Sequence, residues 1–252
     1  MHYNRTMNDI KTIKGPNANI AYEFIKGDSP LPPIIFLCGF KSDMMGSKAQ
    51  WLRDYCAANN RTFLRFDYFA HGQSGGDFMD FTIGHAVDDT LFMLDEFIYE
   101  PSIIIGSSMG GWVGLRILEL RIEDVFGFIG IAAAPDFTAE IKQALSDEQK
   151  NELNRKGYFE VESGYDEPYI FTQALLENGD VHCMLNRVIK TERPVHLIQG
   201  KMDTSVPWDK ANGINKMVGG MAEVTFIDDG DHSLSRPQDL EILKAAIEKM
   251  AS

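Results

Sequence analysis

Two adjacent serines, Ser107 and Ser108, stand in the stretch SIIIGSSMGGW (102–112), directly after three isoleucines. A serine hydroxyl is a weak nucleophile at neutral pH and needs a general base beside it, itself oriented by a carboxylate. The pattern G-x-S-x-G occurs here in one register, Gly106, Ser108 and Gly110, because Ser107 would need a glycine where Ile105 stands. Between a strand and a helix this pattern makes a sharp, strained turn. It lifts the serine oxygen above the strand ends, at a helix N-terminus whose dipole favours developing negative charge. The same residues also suit a plain glycine-rich bend with solvated serines. The apolar run before them and the helical period behind them favour Ser108 as a nucleophile.

The partners should follow in the order serine, acid, histidine, each in a loop past the C-terminal end of a strand. Asp203 comes just after the strand-like run PVHLIQG, and His232 just after AEVTFID. Asp203 would equally suit a cap on the turn before Val206-Pro207. Asp209 and Asp231 are alternatives, but Asp209 falls in the first turn of the next helix and Asp231 is too close to His232 to face its ring easily. Of the other histidines, His2 is terminal, His196 lies within a strand, His85 is on a helix before Ser108, His71 is in an earlier turn and His182 lies in an insertion. Only His232 has both order and position. An oxyanion site requires two backbone N–H donors. Met109, after the nucleophile, would supply one; Phe40, after PIIFLCGF, would supply the other, with Gly39 allowing close approach. The CGF stretch also reads as a strand end with a flexible glycine.

These residues need a scaffold. Short apolar, β-branched runs alternate with segments of helical period, which predicts an α/β fold: a mostly parallel twisted sheet flanked by crossover helices. Strands are expected at 19–25, 33–40, 61–68, 102–105, 125–134, 194–200 and 222–228. Helices are expected from an N-cap at Ser47, through Ile83, Val87, Leu91, Leu94 and Ile98, over 109–120 and 207–218, and from about Pro237. Residues 136–190 contain no convincing strand and read as helices. They interrupt the alternation and then return to it, so residues 1–252 are expected to form one domain with a helical cap at about 136–190.

At 252 residues the chain is long enough to bury a large core. Its net charge of −13 excludes nucleic acid and anionic membranes as main partners, because both need a positive footprint. No run of about 18 apolar residues is present, so no membrane span is expected. MHYNRTMNDIK lacks the apolar segment of a secretory signal. Cys38, Cys56 and Cys183 suit free thiols in a reducing compartment, and a cytoplasmic location is expected. No Cys/His spacing suggests a metal site.

FLCGF, FDYFAHGQS, GSSMGGW, GKMDTSVPW and GDHSL follow one another as the landmarks of the α/β-hydrolase superfamily do, and the chain resembles that superfamily over nearly its whole length. GFKSDMMGSKA, LRFDY, MDTSVPW and RKGYFEVESGYDEPYIFTQ are similar to the mitochondrial palmitoyl-protein thioesterase and acyl-glucuronide esterase group and its bacterial relatives. The resemblance implies Ser108 as nucleophile, Asp203 as orienting acid, His232 as base, and no cofactor. Two departures stand out: Asp231 precedes His232 where glycine is frequent, and no mitochondrial transit peptide is expected. The insertion is acidic, with 11 acids against 6 bases, and holds Phe137, Tyr158, Phe159, Tyr165, Tyr169 and Phe171. Most of these should pack the cap onto the sheet, leaving one or two to face an acyl chain. Three functions remain open: hydrolysis of small-molecule or protein-linked acyl esters or thioesters, serine aminopeptidase activity, and non-catalytic binding. Oligomeric state is not legible.

Overall fold

The computed structural model describes residues 10–162, 168–184 and 187–252. Its first strands are β1 (Lys11–Lys14), β2 (Asn19–Ile25) and β3 (Ile34–Leu37), followed by α1 (Ser47–Ala58), β4 (Phe63–Phe66) and, after a 3-10 turn, α2 (Ile83–Phe97). Next come β5 (Ser102–Ser107), α3 (Met109–Leu120) and β6 (Val125–Ile131). The insertion contributes α4 (Phe137–Ala144), α5 (Asp147–Lys156), β7 (Tyr158–Val161), β8 (Tyr169–Thr172) and α6 (Gln173–His182). The chain then returns through β9 (Val195–Gly200), α7 (Lys210–Met217), β10 (Glu223–Ile227) and α8 (Pro237–Met250).

Eight strands form one sheet in the order β1-β2-β4-β3-β5-β6-β9-β10. β1, β2 and β4 pair antiparallel, whereas β4, β3, β5, β6, β9 and β10 run parallel. The fold is therefore the expected one, a mostly parallel sheet flanked by helices. Every residue of β3 and β5 is buried, which is why IIFL and SIII carry no polar alternation. Along β6, a side chain at Gly127 would meet Met250 of α8, while the ring of the next residue, Phe128, covers Gly114 of α3. Successive strand residues point to opposite faces, so α8 and α3 lie on opposite sides of the sheet.

The chain passes from β3 to β4 on one side and then crosses to β5 on the other. The crevice between the ends of β3 and β5 is thus a topological switch point, the place where open α/β sheets bind ligands. Loops leaving the C-terminal ends of the parallel strands carry Phe40, His71, Ser108, Asp203 and His232 to this one edge.

Several details differ from expectation. Residues 136–190 are not purely helical: β7 and β8 form a two-stranded antiparallel ribbon pairing Phe159 with Phe171. Each strand is four residues long and pairs only with the other, too short a run for alternation to register. β1 is likewise a four-residue edge strand without a strong apolar signal. Helix α1 is capped by Gly46, with Ser47 its first residue rather than its N-cap. Helix α7 starts at Lys210, three residues later than expected, because Pro207 to Lys210 form a turn first. His2 and Tyr165 lie outside the described residues.

Candidate active site

The turn at the end of β5 shows why its glycines are needed. Ser108 has φ 55° and ψ −118°, a conformation costing a non-glycine residue on the order of 1–3 kcal/mol. A Cβ on Gly106 would overlap the Gly110 carbonyl, and one on Gly110 would come within 2.6 Å of the Cys38 carbonyl oxygen at the end of β3. The strained turn is held by backbone bonds: Ser108 N–H donates to the Ile131 carbonyl (2.9 Å), and the Ser108 carbonyl accepts from Gly111 (2.9 Å) and Ala134 (3.0 Å). Ser107 ends β5 with its Cα opposite Ile131 and is 7% exposed.

The structure brings the other two singled-out residues to Ser108. The Ser108 Oγ lies 3.2 Å from His232 Nε2, and His232 Nδ1 lies 2.8 Å from Asp203 Oδ2. A carboxylate can only accept, so Nδ1 carries the proton and Nε2 is the bare nitrogen that takes the serine hydroxyl hydrogen. The Asp203 side chain is fully buried, and both its oxygens are in use. Oδ1 accepts from the Ser205 and Val206 N–H groups, each at 2.8 Å, and Oδ2 also accepts from Gln199 Nε2 at 3.1 Å. Burial pushes the Asp203 carboxyl up. The bond from His232 and the two backbone N–H bonds outweigh it, and the pKa ends below the usual 3.8. The alternative acids are not hydrogen-bonded to His232; its Nδ1 is on Asp203. Asp209 is exposed at the N-cap position of α7, without a side-chain cap hydrogen bond, and Asp231 Oδ1 accepts the Leu234 N–H at 3.0 Å.

The loop carrying His232 is pinned on both sides. Arg236 forms ion pairs with Asp229 (2.8 Å) and Asp239 (2.9 Å), and Lys48 of α1 donates to the Ser233 carbonyl and to Ser235 Oγ (3.3 Å). Burial lowers the Lys48 ammonium to about 8. A polar cavity of about 200 Å³ lies here, lined by Gly39, Ser107, Lys48, Ser233 and Ser235 among others.

Met109 is the first residue of α3, so its N–H has no acceptor within the helix. The loop after β3 passes beside it: a Cβ on Gly39 would sit 3.9 Å from Ser108 Oγ, with Phe40 next in the chain. The Phe40 ring stacks on Phe171 of the inserted ribbon (5.5 Å, 9°) and lies 5.8 Å from Phe137 and 6.2 Å from Tyr169. Phe159 and Phe171 are buried packing residues, while Phe137 and Tyr169 are partly exposed around Phe40. The insertion is tied down by Trp112 Nε1 donating to the His182 carbonyl (3.1 Å) and by Met184 N–H donating to Asp136 (2.7 Å). His196 binds Thr225 within the sheet (2.8 Å), away from Ser108. Among the described residues there is no cluster suited to a metal ion, and no helix is long and apolar enough to cross a membrane.

With this geometry in hand, comparison with known proteins is informative. The alpha/beta hydrolase family matches residues 34–241. The mouse (Mus musculus) mitochondrial palmitoyl-protein thioesterase ABHD10 is 33% identical over 235 residues, spanning 92% of this chain and 78% of that protein. The solved structure of the mouse protein, alpha/beta hydrolase domain-containing protein 10, superposes with a TM-score of 0.87 at 31% identity, covering 96% of this chain and 98% of that one. The crystal structure of a hydrolase-like protein from Agrobacterium vitis S4 superposes with a TM-score of 0.93 at 37% identity, covering 98% of this chain and 100% of that one.

Proposed function

This chain belongs to the alpha/beta hydrolase family, and from that premise we propose that it is a serine hydrolase cleaving acyl esters or thioesters through an acyl-enzyme. The observation that carries the reading is the continuous hydrogen-bonded line from Ser108 through His232 to a fully buried Asp203. Ser108 Oγ attacks the acyl carbon as His232 Nε2 takes its proton, and the carbonyl oxygen becomes an oxyanion facing the N–H groups of Phe40 and Met109. The imidazolium, steadied by Asp203, returns the proton to the departing alkoxide or thiolate. Water then attacks the acyl-serine by the same route and regenerates the hydroxyl.

The substrate side is argued from the aromatics. Residues 136–190 act as a cap on a single domain of residues 1–252, and Phe40, Phe137 and Tyr169, backed by the buried Phe171, offer apolar surface to an acyl chain. Each methylene buried there contributes about 0.8 kcal/mol. The thioesterase relatives support the same class. The net charge of −13 disfavours acyl-CoA against neutral esters and protein-linked thioesters. Cys38 and Cys56, buried as free thiols, suit a reducing compartment and keep a cytoplasmic placement within the proposal, although the mouse relative is by name mitochondrial. The test is kcat/KM for esters and thioesters of increasing acyl length, beside alanine- and proline-naphthylamides. Esters and thioesters should be faster by orders of magnitude; faster amides would make the protein a peptidase, and no turnover at all would make it a binding protein.

A further inference from the structure

His71 is not part of the line from Ser108 to Asp203, yet it is 3% exposed and fully engaged. Its Nδ1 lies 3.0 Å from the Phe69 carbonyl, which can only accept, so Nδ1 holds the proton and Nε2 is bare. Nε2 in turn accepts the Lys41 N–H at 3.2 Å, across 30 residues of sequence. Burial lowers the imidazole pKa, which keeps the ring in the neutral form this arrangement requires. The ring is wedged against Phe81 (4.4 Å) and Phe78 (5.4 Å), so it has little freedom to turn.

The group it holds is unusual. Residues Gly39 to Ser42 form a turn closed by Ser42 N–H donating to the Gly39 carbonyl at 3.2 Å, with Phe40 and Lys41 at its centre. Lys41 has φ 51°, in the left-handed region that such turns reserve for glycine at this position. A lysine there favours rotation of the Phe40–Lys41 peptide toward the commoner turn with negative φ. That rotation would swing the Lys41 N–H away from His71. A second bond, Met44 N–H to Asp67 Oδ1 at 2.7 Å, fixes the far end of the same loop. Both acceptors come from the segment after β4, which therefore clamps the segment after β3.

We propose that His71 is a positioning residue for the oxyanion site, locking the strained Gly39–Ser42 turn so that the Phe40 N–H is held toward Ser108. The inference rests on the serine-hydrolase reading above. An oxyanion donor acts only within about 2.7–3.1 Å of the developing charge, and losing one costs on the order of 10²–10³ in kcat. A donor that is loosened rather than removed should cost less, about 10–100-fold.

The experiment compares His71→Phe, which keeps a ring among Phe78 and Phe81 but has no acceptor, with His71→Gln, whose Oε1 reaches the position of Nε2. His71→Phe should lower kcat by about 10–100-fold with KM changed less than about threefold, and weaken a trifluoromethyl-ketone inhibitor in parallel. His71→Gln should recover most of that loss. A kcat within threefold of wild type in His71→Phe, or a glutamine variant no better than the phenylalanine one, would overturn the proposal. Imidazole 15N shifts of the unmodified protein add a test that needs no variant: a protonated Nδ1 on His71 is expected, and a protonated Nε2 would refute the arrangement. Ser108→Ala serves as the control, because turnover surviving that change would defeat the serine-hydrolase reading itself.

Discussion

Asp203→Asn is a sharp perturbation because the surroundings dictate which way the new amide faces. Oδ1 of Asp203 accepts two backbone N–H groups at 2.8 Å, from Ser205 and Val206, so that end of asparagine must be its carbonyl oxygen. An amide NH₂ turned there would confront two donors. The NH₂ therefore falls at the Oδ2 position, 2.8 Å from His232 Nδ1, and becomes a donor to it. The imidazole must then move its proton to Nε2, the atom 3.2 Å from Ser108 Oγ, and it can no longer accept the serine proton. Gln199 Nε2, now facing a donor at 3.1 Å, keeps the Gly200 and Val206 carbonyls as its acceptors, each at 3.4 Å. Loss of the correct tautomer in such a relay lowers kcat by about 10⁴, or roughly 5–6 kcal/mol of transition-state stabilisation. The side-chain acceptor for the two backbone N–H groups survives, so the fold should too. The assay is kcat/KM on a short-chain nitrophenyl ester, with a urea unfolding curve and imidazole 15N shifts on the same sample. Turnover within tenfold of wild type, or a collapse seen with Asp209→Asn or Asp231→Asn instead, would refute the reasoning.

Fluorophosphonate labelling with peptide mapping should modify Ser108 alone; Ser107→Ala should still label, while Ser108→Ala should not. Gly110→Ala should cost more than the roughly 1–3 kcal/mol of ordinary overpacking, because its Cβ meets backbone carbonyls of Leu37 and Cys38 that cannot move without shifting the oxyanion loop. Gly213→Ala, with nothing within 4 Å in helix α7, should raise stability by about 0.5–1 kcal/mol, and chemical denaturation of the two variants side by side checks the contrast. Asp89 is fully buried, accepts the Phe69 N–H at 2.7 Å, and is pushed up by burial from 3.8 to about 6. The folded state then binds its proton more tightly than the unfolded one, so stability falls as pH rises through about 4 to 6, by on the order of 3 kcal/mol. Asp89→Asn should remove that loss and stabilise the protein at pH 7 but not near pH 3.5; a variant equally destabilised at both would contradict it.

The candidate site was legible because the residues that compose it stand at strand ends. Gly106 and Gly110 flank Ser108 in a turn that leaves no room for a side chain at either glycine, and Asp203 and His232 each follow an apolar run that has to be a strand. The sheet was legible because Ile103, Ile104 and Ile105 of β5 and the IIFL of β3 are buried on both faces and form unbroken apolar runs. The inserted ribbon was not, since YFEV and YIFT satisfy each other and leave no trace beyond four residues. His71 was hidden for a different reason. It is an ordinary turn histidine until the chain folds and puts its Nε2 against the N–H of Lys41, and nothing in HGQS encodes that partner. The backbone strain at Lys41 was equally invisible, because lysine carries no signal for positive φ.

β6 and β9 are hydrogen-bonded neighbours, with Phe128 opposite Val195 and Ile131 opposite Ile198. Everything between them, including α4, α5, the β7–β8 ribbon and α6, leaves the sheet and re-enters it one strand spacing away. The two ends of that excursion are held together by the ladder whatever the intervening chain contains. Closing a loop of twice the length costs only about 0.6 kcal/mol more, so natural variation can lengthen, shorten or replace this excursion at small thermodynamic penalty. The serine turn, the buried aspartate and the histidine loop all lie outside it. The excursion can thus be exchanged as a separate part, while the geometry around Ser108 stays in place.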